Sequence, residues 1–170
     1  MRDAVVRING NETHRIWIQE IRRSARRRLR EHSYQLTKNM RTKQVKLPSP
    51  DHPISIQPNP ARVVVSVAGR VVADTRTAPT LREAAYPPVQ YIPGEDVDFS
   101  QLVRTDHVTY CPYKGNCNYY SVPAGGKKSV NAVWSYEDPF PAVMQIRGHL
   151  AFYPERVDEI AEQLPTGSLH

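Results

Sequence analysis

The segment with the clearest potential for chemistry is Cys111-Pro112-Tyr113-Lys114-Gly115, which we call the Cys-Pro-Tyr-Lys-Gly turn. Proline early and glycine last in this segment are typical of a chain reversal. A lysine ammonium three residues after Cys111 would stabilise the thiolate over the thiol, which is how reactive cysteines are made. Lys114 would alternatively bind an anionic ligand or, once desolvated, act as an amine nucleophile. The competing interpretation is structural, because a free cysteine commonly behaves as a small buried hydrophobe.

Aromatic residues are concentrated around the same turn: Tyr110, Tyr113, Tyr119, Tyr120, Trp134 and Tyr136. Their rings would line a pocket for a flat ligand, with tyrosine hydroxyls and Lys114 as polar contacts. Ordinary core packing is the alternative, above all for Trp134. Tyr119 and Tyr120 are adjacent, so in a strand they point to opposite faces and only one of them can face a pocket.

Metal binding is not expected from the cysteines and histidines. Cys117 follows Cys111 by six residues and would form a disulfide or, with His107 and His149, a four-ligand set. Their spacing matches no common zinc pattern, so we predict no metal site. Cys117 is interpreted as incidental.

The acidic run Glu95-Asp96-Val97-Asp98 offers a different chemistry. An Asp-x-Asp pair can hold Mg²⁺ while the metal bridges phosphates, as nucleotidyl transfer requires. Such enzymes normally add a third carboxylate and a glycine-rich phosphate loop, and the only paired glycines are Gly125-Gly126. The simpler alternative is that these acids favour the dipole at the start of a short helix. Mg²⁺ is therefore expected as a cofactor only if Asp96 and Asp98 act this way.

The elements that must position these residues are mostly strands. Residues 62–67 and 70–74 are β-branched runs joined by Ala68-Gly69, which predicts a hairpin. Further strands are predicted at residues 89–92, 107–111, 118–122, 130–136 and 149–153. Short helical turns are predicted at 80–85 and 95–102, a chain reversal at 125–128, and a C-terminal helix after Pro154. The sequence therefore predicts a mainly β, antiparallel domain over residues 61–164, after a Pro-rich linker at 46–60.

Residues 1–45 are a basic leader, which we expect to be partly helical or disordered. Ten Lys and Arg against four Asp and Glu in residues 1–39 account for the whole net charge of +6. Arginines on one helical face would bind nucleic acid or an anionic membrane, although arginine runs are usually solvated tails. A start of translation at Met40 is the other expectation. No apolar run is long enough to span a membrane and no secretory signal is visible, which predicts a cytoplasmic protein.

Five motifs occur in order along residues 60–160 and carry a resemblance to a known family. They are Gly69-Arg70-Val71-Val72-Ala73-Asp74-Thr75, Tyr91-Ile92-Pro93 with Asp96-Val97, the Cys-Pro-Tyr-Lys-Gly turn, Ala132-Val133-Trp134-Ser135-Tyr136 and Ala151-Phe152-Tyr153. Together they resemble the domain-of-unknown-function family 427, which also carries a nucleotidyltransferase-type label. The resemblance implies a β-tent fold, in which two small antiparallel sheets meet at an angle over a groove. The structural zinc common in that architecture is not implied here, because the paired-cysteine knuckles are missing.

Combining the residues with the resemblance, we expect a small-molecule site at the Cys-Pro-Tyr-Lys-Gly turn, with thiol or amine chemistry. The candidate catalytic residues are Cys111 and Lys114. The candidate ligand-binding residues are Tyr91, Asp96, Tyr113, Tyr119, Trp134 and Tyr136. Mg²⁺-dependent nucleotidyl transfer and a non-enzymatic protein or nucleic-acid interaction module are the alternatives. No ligand identity and no oligomeric state follow from the sequence.

Overall fold

The computed structural model describes residues 26–27 and 43–165. The chain divides into two units, Met1–Lys43 and Gln44–His170. In the first unit the described residues are Arg26 and Arg27, which are helical and exposed, and Lys43. The rest of the basic leader and its predicted helix lie outside the described residues. Along the described part of the chain, no helix has the length and apolar character needed to cross a bilayer.

The second unit is mainly β, with short 3₁₀ turns between its strands, which confirms the predicted fold class. Between residues 44 and 165 the strands are β1 (Ile54–Pro58), β2 (Arg62–Val67), β3 (Arg70–Thr75), β4 (Pro79–Glu83), β5 (Val89–Gln90), β6 (Ile92–Pro93), β7 (Val103–Cys111), β8 (Gly115–Ser121), β9 (Val133–Ser135), β10 (His149–Phe152) and β11 (Glu159–Gln163). They form three antiparallel sheets, with strand orders β1-β4-β5, β6-β10-β9-β8-β7 and β11-β2-β3. Two sheets were expected; the third joins β1, inside the predicted linker, and β4, which overlaps a predicted helical turn, to β5, inside a predicted strand.

The β2–β3 hairpin forms where it was predicted. Val63, Val65 and Val67 alternate with partly exposed residues, so one face of β2 is buried as the period of two requires. The turn residues Ala68 and Gly69 both have positive φ, 51° and 71°. This geometry matches the right-handed twist of the two strands, and glycine adopts it without strain.

The helical turn predicted at residues 80–85 is wrong, because this segment is strand β4. Strand β4 pairs along its whole length with β1, so tertiary pairing overrides the local preference. Strand β1 itself lies inside the predicted linker. Its prolines do not prevent pairing, since Pro53 precedes the strand and Pro58 is its last residue.

The predicted C-terminal helix is also wrong. Pro154–Arg156 forms a single 3₁₀ turn, and the chain then continues as β11. Five consecutive residues of β11 pair with β2, and Ile160 packs against the core of that sheet. The apolar spacing that suggested a helix therefore serves a strand at a sheet edge.

Short 3₁₀ turns replace the remaining predicted helix and reversal. The segment 95–102 forms two of them, Gly94–Asp96 and Phe99–Gln101. The reversal at 125–128 lies within Pro123–Ser129, which is kinked at Gly126. The strand predicted at 130–136 shortens to the three residues of β9. The chain thus changes direction in these segments through turns of only a few residues.

Two clusters of buried apolar residues fill the interior. The larger cluster comprises Val63, Val65, Val67, Val72, Ala73, Ala78, Ile92, Val97, Val122, Ala132, Val133, Leu150, Phe152 and Val157. The second cluster comprises Leu81, Tyr91, Cys117, Tyr119, Tyr136, Val143, Ile146 and Ala151. The second cluster is unusually aromatic and lies next to the Cys-Pro-Tyr-Lys-Gly turn, so it is where a site would be expected.

Candidate ligand-binding site

A cavity of about 680 Å³ opens beside the aromatic cluster, and all three sheets contribute to it. Its buried lining includes Leu81, Tyr91, Cys117, Tyr119 and Tyr136. Its exposed lining, which we call the rim, is Tyr86, Pro87, Pro88, Pro154, Glu155 and Glu162. The volume is within the range of small-molecule pockets in proteins.

Strand β8 places the side chains of Cys117 and Tyr119 on the cavity floor, because successive side chains of a strand point to opposite faces. Gly115, Cys117 and Tyr119 are buried, and the residues between them are not. Tyr119 therefore lines the cavity. Tyr120 points to the opposite face, where it packs against the larger cluster and edge-on to Phe99.

Trp134 forms one wall together with two tyrosines. On β9 it lies opposite Tyr119 of β8 and Ala151 of β10. Its ring is 6.4 Å from that of Tyr91 in an edge-to-face arrangement and 4.4 Å from that of Tyr153. The indole Nε1 donates a hydrogen bond of 3.3 Å to the Tyr91 hydroxyl, which fixes both rings.

Lys114 turns inward from the Cys-Pro-Tyr-Lys-Gly turn and is only 7% exposed. Gly115, with a φ of 104°, completes the turn, and a Cβ there would meet the Asp138 carbonyl oxygen at 3.4 Å. The Lys114 ammonium contacts the carboxylate of Glu83, at the end of β4. A lysine at this depth needs such a partner, because desolvation penalises an isolated charge.

Glu83 holds two partners at once. The ring Nε2 of His52 lies 3.0 Å from one of its carboxylate oxygens, while Lys114 contacts the other. Burial alone would raise the pKa of Glu83, but hydrogen bonds from Lys114 and His52 outweigh it and lower the pKa below its ordinary value. Glu83 is therefore a carboxylate at neutral pH. The Lys114 ammonium also lies 5.9 Å from the centre of the Tyr136 ring, within cation–π range.

The three buried tyrosine hydroxyls of the cavity lining are held neutral. Burial raises the pKa of Tyr91, of Tyr119 and of Tyr136 above the ordinary value of 10, most strongly at Tyr136. Each hydroxyl consequently keeps its proton at neutral pH. Tyr119 shares a hydrogen bond of 2.9 Å with Thr109, so its hydroxyl is already oriented.

Five of the eight predicted site residues line this cavity: Tyr91, Lys114, Tyr119, Trp134 and Tyr136. Cys111 is half-buried and packs against the aromatic cluster, but it is not among the lining residues. Tyr113 stacks on the ring of His52, with centroids 3.9 Å apart, and so supports Glu83 from outside the cavity. The turn thus sends Lys114 inward and Tyr113 outward.

Asp96 lies away from the cavity, where it accepts a hydrogen bond of 2.6 Å from Thr75. Asp98 caps the Phe99–Gln101 turn by accepting from the Ser100 amide, and hydrogen bonds from Ser100 and Gln101 lower its pKa. Among the described residues, no group of three or more His, Cys, Asp and Glu is arranged to hold a metal ion. Asp96 therefore bonds the end of β3, and Asp98 serves a local turn.

The sequence analysis missed Glu83, Cys117 and the rim glutamates. Glu83 was not predicted as a site residue because its segment was expected to be helical. In a strand, side chains alternate between faces, which places Glu83 on the same face as Leu81. Cys117 was interpreted as incidental, yet it lies two residues before Tyr119 on one strand face and is 1% exposed. Glu155 and Glu162 follow the mispredicted helix start: Glu155 lies in the 3₁₀ turn Pro154–Arg156, and the pairing of β11 with β2 places Glu162 at the rim.

A family model described as a domain of unknown function (DUF427) matches residues 55–163, from β1 to the end of β11. The match spans all three sheets and every residue of the cavity, including Glu83 and Lys114. No curated protein matches the chain.

Proposed function

Since this chain belongs to the DUF427 family, described only as a domain of unknown function, we propose its role from the site: the domain binds a small molecule in the aromatic cavity. The observation that carries the proposal is a concave aromatic floor beside a buried Lys114–Glu83 pair. Small-molecule sites typically combine an apolar lining with a few fixed polar groups, and this cavity has both. The rim gives a ligand access from solvent, because its residues are exposed.

The polar groups are already oriented, which favours binding over simple core packing. The Lys114 ammonium is fixed by Glu83, and Tyr91 is fixed by Trp134. A ligand therefore meets donors and acceptors whose conformational freedom has been lost before binding, which reduces the entropic cost of association.

Between the two candidate reactive groups, the geometry favours Lys114. Its side chain lines the cavity, whereas Cys111 packs against the cluster without lining it. We accordingly propose that any covalent chemistry in this cavity uses the amine of Lys114. The Glu83 carboxylate, whose pKa is lowered, favours the ammonium form, so the amine would have to release its proton to solvent or to the ligand before it could attack.

The two other functions stay predictions from the sequence. Mg²⁺-dependent nucleotidyl transfer predicts that nucleoside triphosphates with Mg²⁺ raise the melting temperature, and that Asp96→Asn abolishes this rise. An interaction module acting through the leader predicts that deleting residues 1–39 abolishes binding to RNA and anionic vesicles at low salt. The cytoplasmic location likewise stays a prediction.

Trp134 provides a direct test of the proposed site. The chain has one other tryptophan, Trp17, so in a Trp17→Phe background the tryptophan emission reports on the cavity wall alone. We expect members of a small-molecule library to change this emission saturably and to raise the melting temperature of the same protein. A library that changes neither signal would contradict the proposed function.

A matched pair of variants shows whether a hit lies in the cavity. Tyr153→Leu removes a ring of the cavity wall, and we expect it to weaken binding of the hit roughly tenfold. Tyr110→Leu makes the same change at another half-buried tyrosine, which packs edge-on to Phe140 outside the cavity lining. Equal effects of the two substitutions would place the hit elsewhere.

A further inference from the structure

We propose that the ligand of this cavity is a free organic cation, an ammonium or protonated base that carries apolar groups. The inference rests on the proposed function, since it names the class of ligand that the same cavity takes. It follows from the charges and the aromatic rings that line the cavity.

The charged groups of the lining are mainly acidic. They are Glu83, Glu155 and Glu162 against a single lysine, Lys114. Lys114 is already neutralised by Glu83, so the rim glutamates determine the charge that an entering ligand meets. A negative rim above a low-dielectric floor raises the local concentration of cations.

Glu162 is the acid best placed to receive a cation. Its two carboxylate oxygens accept from the side-chain amides of Asn59 at 2.9 Å and Gln90 at 3.1 Å. Within the described residues no cationic side chain forms an ion pair with it. The two amides hold the carboxylate in place without neutralising it, and Gln90 is fixed in turn by Thr80 at 2.6 Å.

The other rim acid, Glu155, is only weakly paired. Its carboxylate lies 3.9 Å from Nε of Arg156, and both side chains are substantially exposed. The Arg156 guanidinium donates instead to the backbone carbonyls of Val130 and Asn131 and lies 4.7 Å from the centre of the Tyr153 ring. The rim therefore keeps a net negative charge with Arg156 included.

The aromatic rings supply the second half of the argument. The faces of tyrosine and tryptophan rings attract cations, and a cation that has apolar groups gains dispersion contacts as well. The protein itself already uses two rings in this way, with Lys114 near Tyr136 and Arg156 over Tyr153. Tyr91, Tyr119 and Trp134 line the same cavity, and among the described residues no lysine or arginine is found over their rings. The Tyr119 ring packs against His107, with centroids 4.5 Å apart. An organic cation would contact these rings and the rim carboxylates at the same time.

The test compares cations with neutral molecules of the same shape. Choline and 3,3-dimethyl-1-butanol differ by one charged nitrogen in place of carbon, and trimethylphenylammonium and tert-butylbenzene form a flatter pair. In the full-length Trp17→Phe protein, Trp134 emission is titrated with all four at low salt. We expect the cation of each pair to bind about tenfold more tightly than its neutral partner, because only the cation gains the rim and ring interactions.

Two variants of one strand localise the effect. Glu162→Gln removes the rim charge, and we expect it to weaken binding of the cations roughly threefold at low salt and to leave the neutral molecules unchanged. Glu159→Gln makes the same change at an exposed residue of β11 outside the cavity lining, and should alter neither. Equal weakening by the two variants would overturn the assignment to the rim.

The remaining outcomes separate the two proposals. Neutral molecules that bind as tightly as the cations would overturn the cation assignment and support the proposed function. If none of the four probes changes the emission or the melting temperature, the cation assignment is overturned, and the library screen then decides the proposed function. Phosphatidylcholine vesicles display the same trimethylammonium group on a lipid. If the protein co-sediments with these vesicles and added choline abolishes the co-sedimentation, the ligand is a lipid headgroup and the proposal of a free ligand is overturned.

Discussion

The ammonium of Lys114 and the carboxylate of Glu83 form an ion pair that joins two sheets of this domain. Lys114 lies in the turn between β7 and β8 of the five-stranded sheet, and Glu83 ends β4 of the β1-β4-β5 sheet, 31 residues away in sequence. The side chains are 9% and 13% exposed, so the pair is largely desolvated. Such a pair fixes the relative position of the elements that it joins. If one partner is removed, the other charge stays buried without a counter-charge.

The first prediction concerns the stability of this pair. Lys114→Met and Glu83→Gln should each lower the free energy of unfolding by about 2–4 kcal/mol, because a buried group loses its partner. The double variant Lys114→Met/Glu83→Gln should lose less than the sum, since no charge is left unpaired. Urea denaturation of the four proteins measures the coupling.

The exposed pair Arg62–Asp74 is the control for that cycle, because it joins adjacent strands β2 and β3 at the surface. Arg62→Met and Asp74→Asn should show a much smaller coupling than the buried pair. Purely additive losses at Lys114 and Glu83 would show that the two side chains do not stabilise one another.

A second prediction follows from the lowered pKa of Glu83, whose ordinary value is 4.5. Because the folded state depresses this pKa, the unfolded state binds the proton more readily. The contribution of Glu83 to stability is thus fully present above about pH 4.5 and is lost as the pH falls through the lower, folded value. Glu83→Gln should remove this part of the acid sensitivity. Melting temperatures of both proteins between neutral and strongly acid pH would test it, and parallel curves would contradict it.

The residues of the site that local sequence patterns position were predictable. The Cys-Pro-Tyr-Lys-Gly turn, the β2–β3 hairpin and the alternation around Tyr119 are local patterns, so they could be predicted from a few neighbouring residues. In the structure Lys114 lines the aromatic cavity, 5.9 Å from the centre of the Tyr136 ring. The mainly β fold and the family also followed from such motifs.

Glu83 and Glu162 could not be predicted, because each reaches the cavity through a long-range pairing. Strand β4 is a strand only against β1 and β5, and β11 only against β2. In isolation, the apolar residues 157, 160, 161 and 164 fit a helix as well as a strand. The spacing of Asp96 and Asp98 suits Mg²⁺; in the structure Asp96 accepts a hydrogen bond from Thr75 at the end of β3, and Asp98 accepts one from the Ser100 amide.

A third prediction concerns alkaline pH. Burial raises the pKa of Tyr91, Tyr119 and Tyr136, so the folded state keeps protons that the unfolded state releases above about pH 10. Stability should therefore fall as the pH rises past the ordinary tyrosine value. In an absorbance titration of ionised tyrosine, part of the amplitude should appear only with unfolding, as followed by circular dichroism. Tyr136→Phe should reduce that late amplitude, whereas full ionisation of all nine tyrosines in the folded state would contradict the prediction.

The last prediction concerns the two thiols, which lie six residues apart on opposite sides of the turn. Cys117 is 1% exposed, and burial raises the pKa of its thiol. Both effects slow alkylation, because the reagent must reach a thiolate. Cys111 is half-buried at the end of β7. We expect iodoacetamide at neutral pH to modify Cys111 on the order of a hundredfold faster than Cys117, which should react only through opening of the fold.

Mass spectrometry of timed samples assigns each modification, with Cys111→Ser and Cys117→Ser as single-thiol references. In denaturant the two thiols should react at similar rates, which attributes the native difference to burial. Lys114→Met then tests whether the ammonium contributes to Cys111. A slower reaction at Cys111 would support thiol chemistry at the turn. An unchanged rate is expected if the ammonium serves Glu83 alone, as its contact with that carboxylate indicates. Equal rates for Cys111 and Cys117 in the folded protein would contradict the burial of Cys117 beside Tyr119 on the cavity floor.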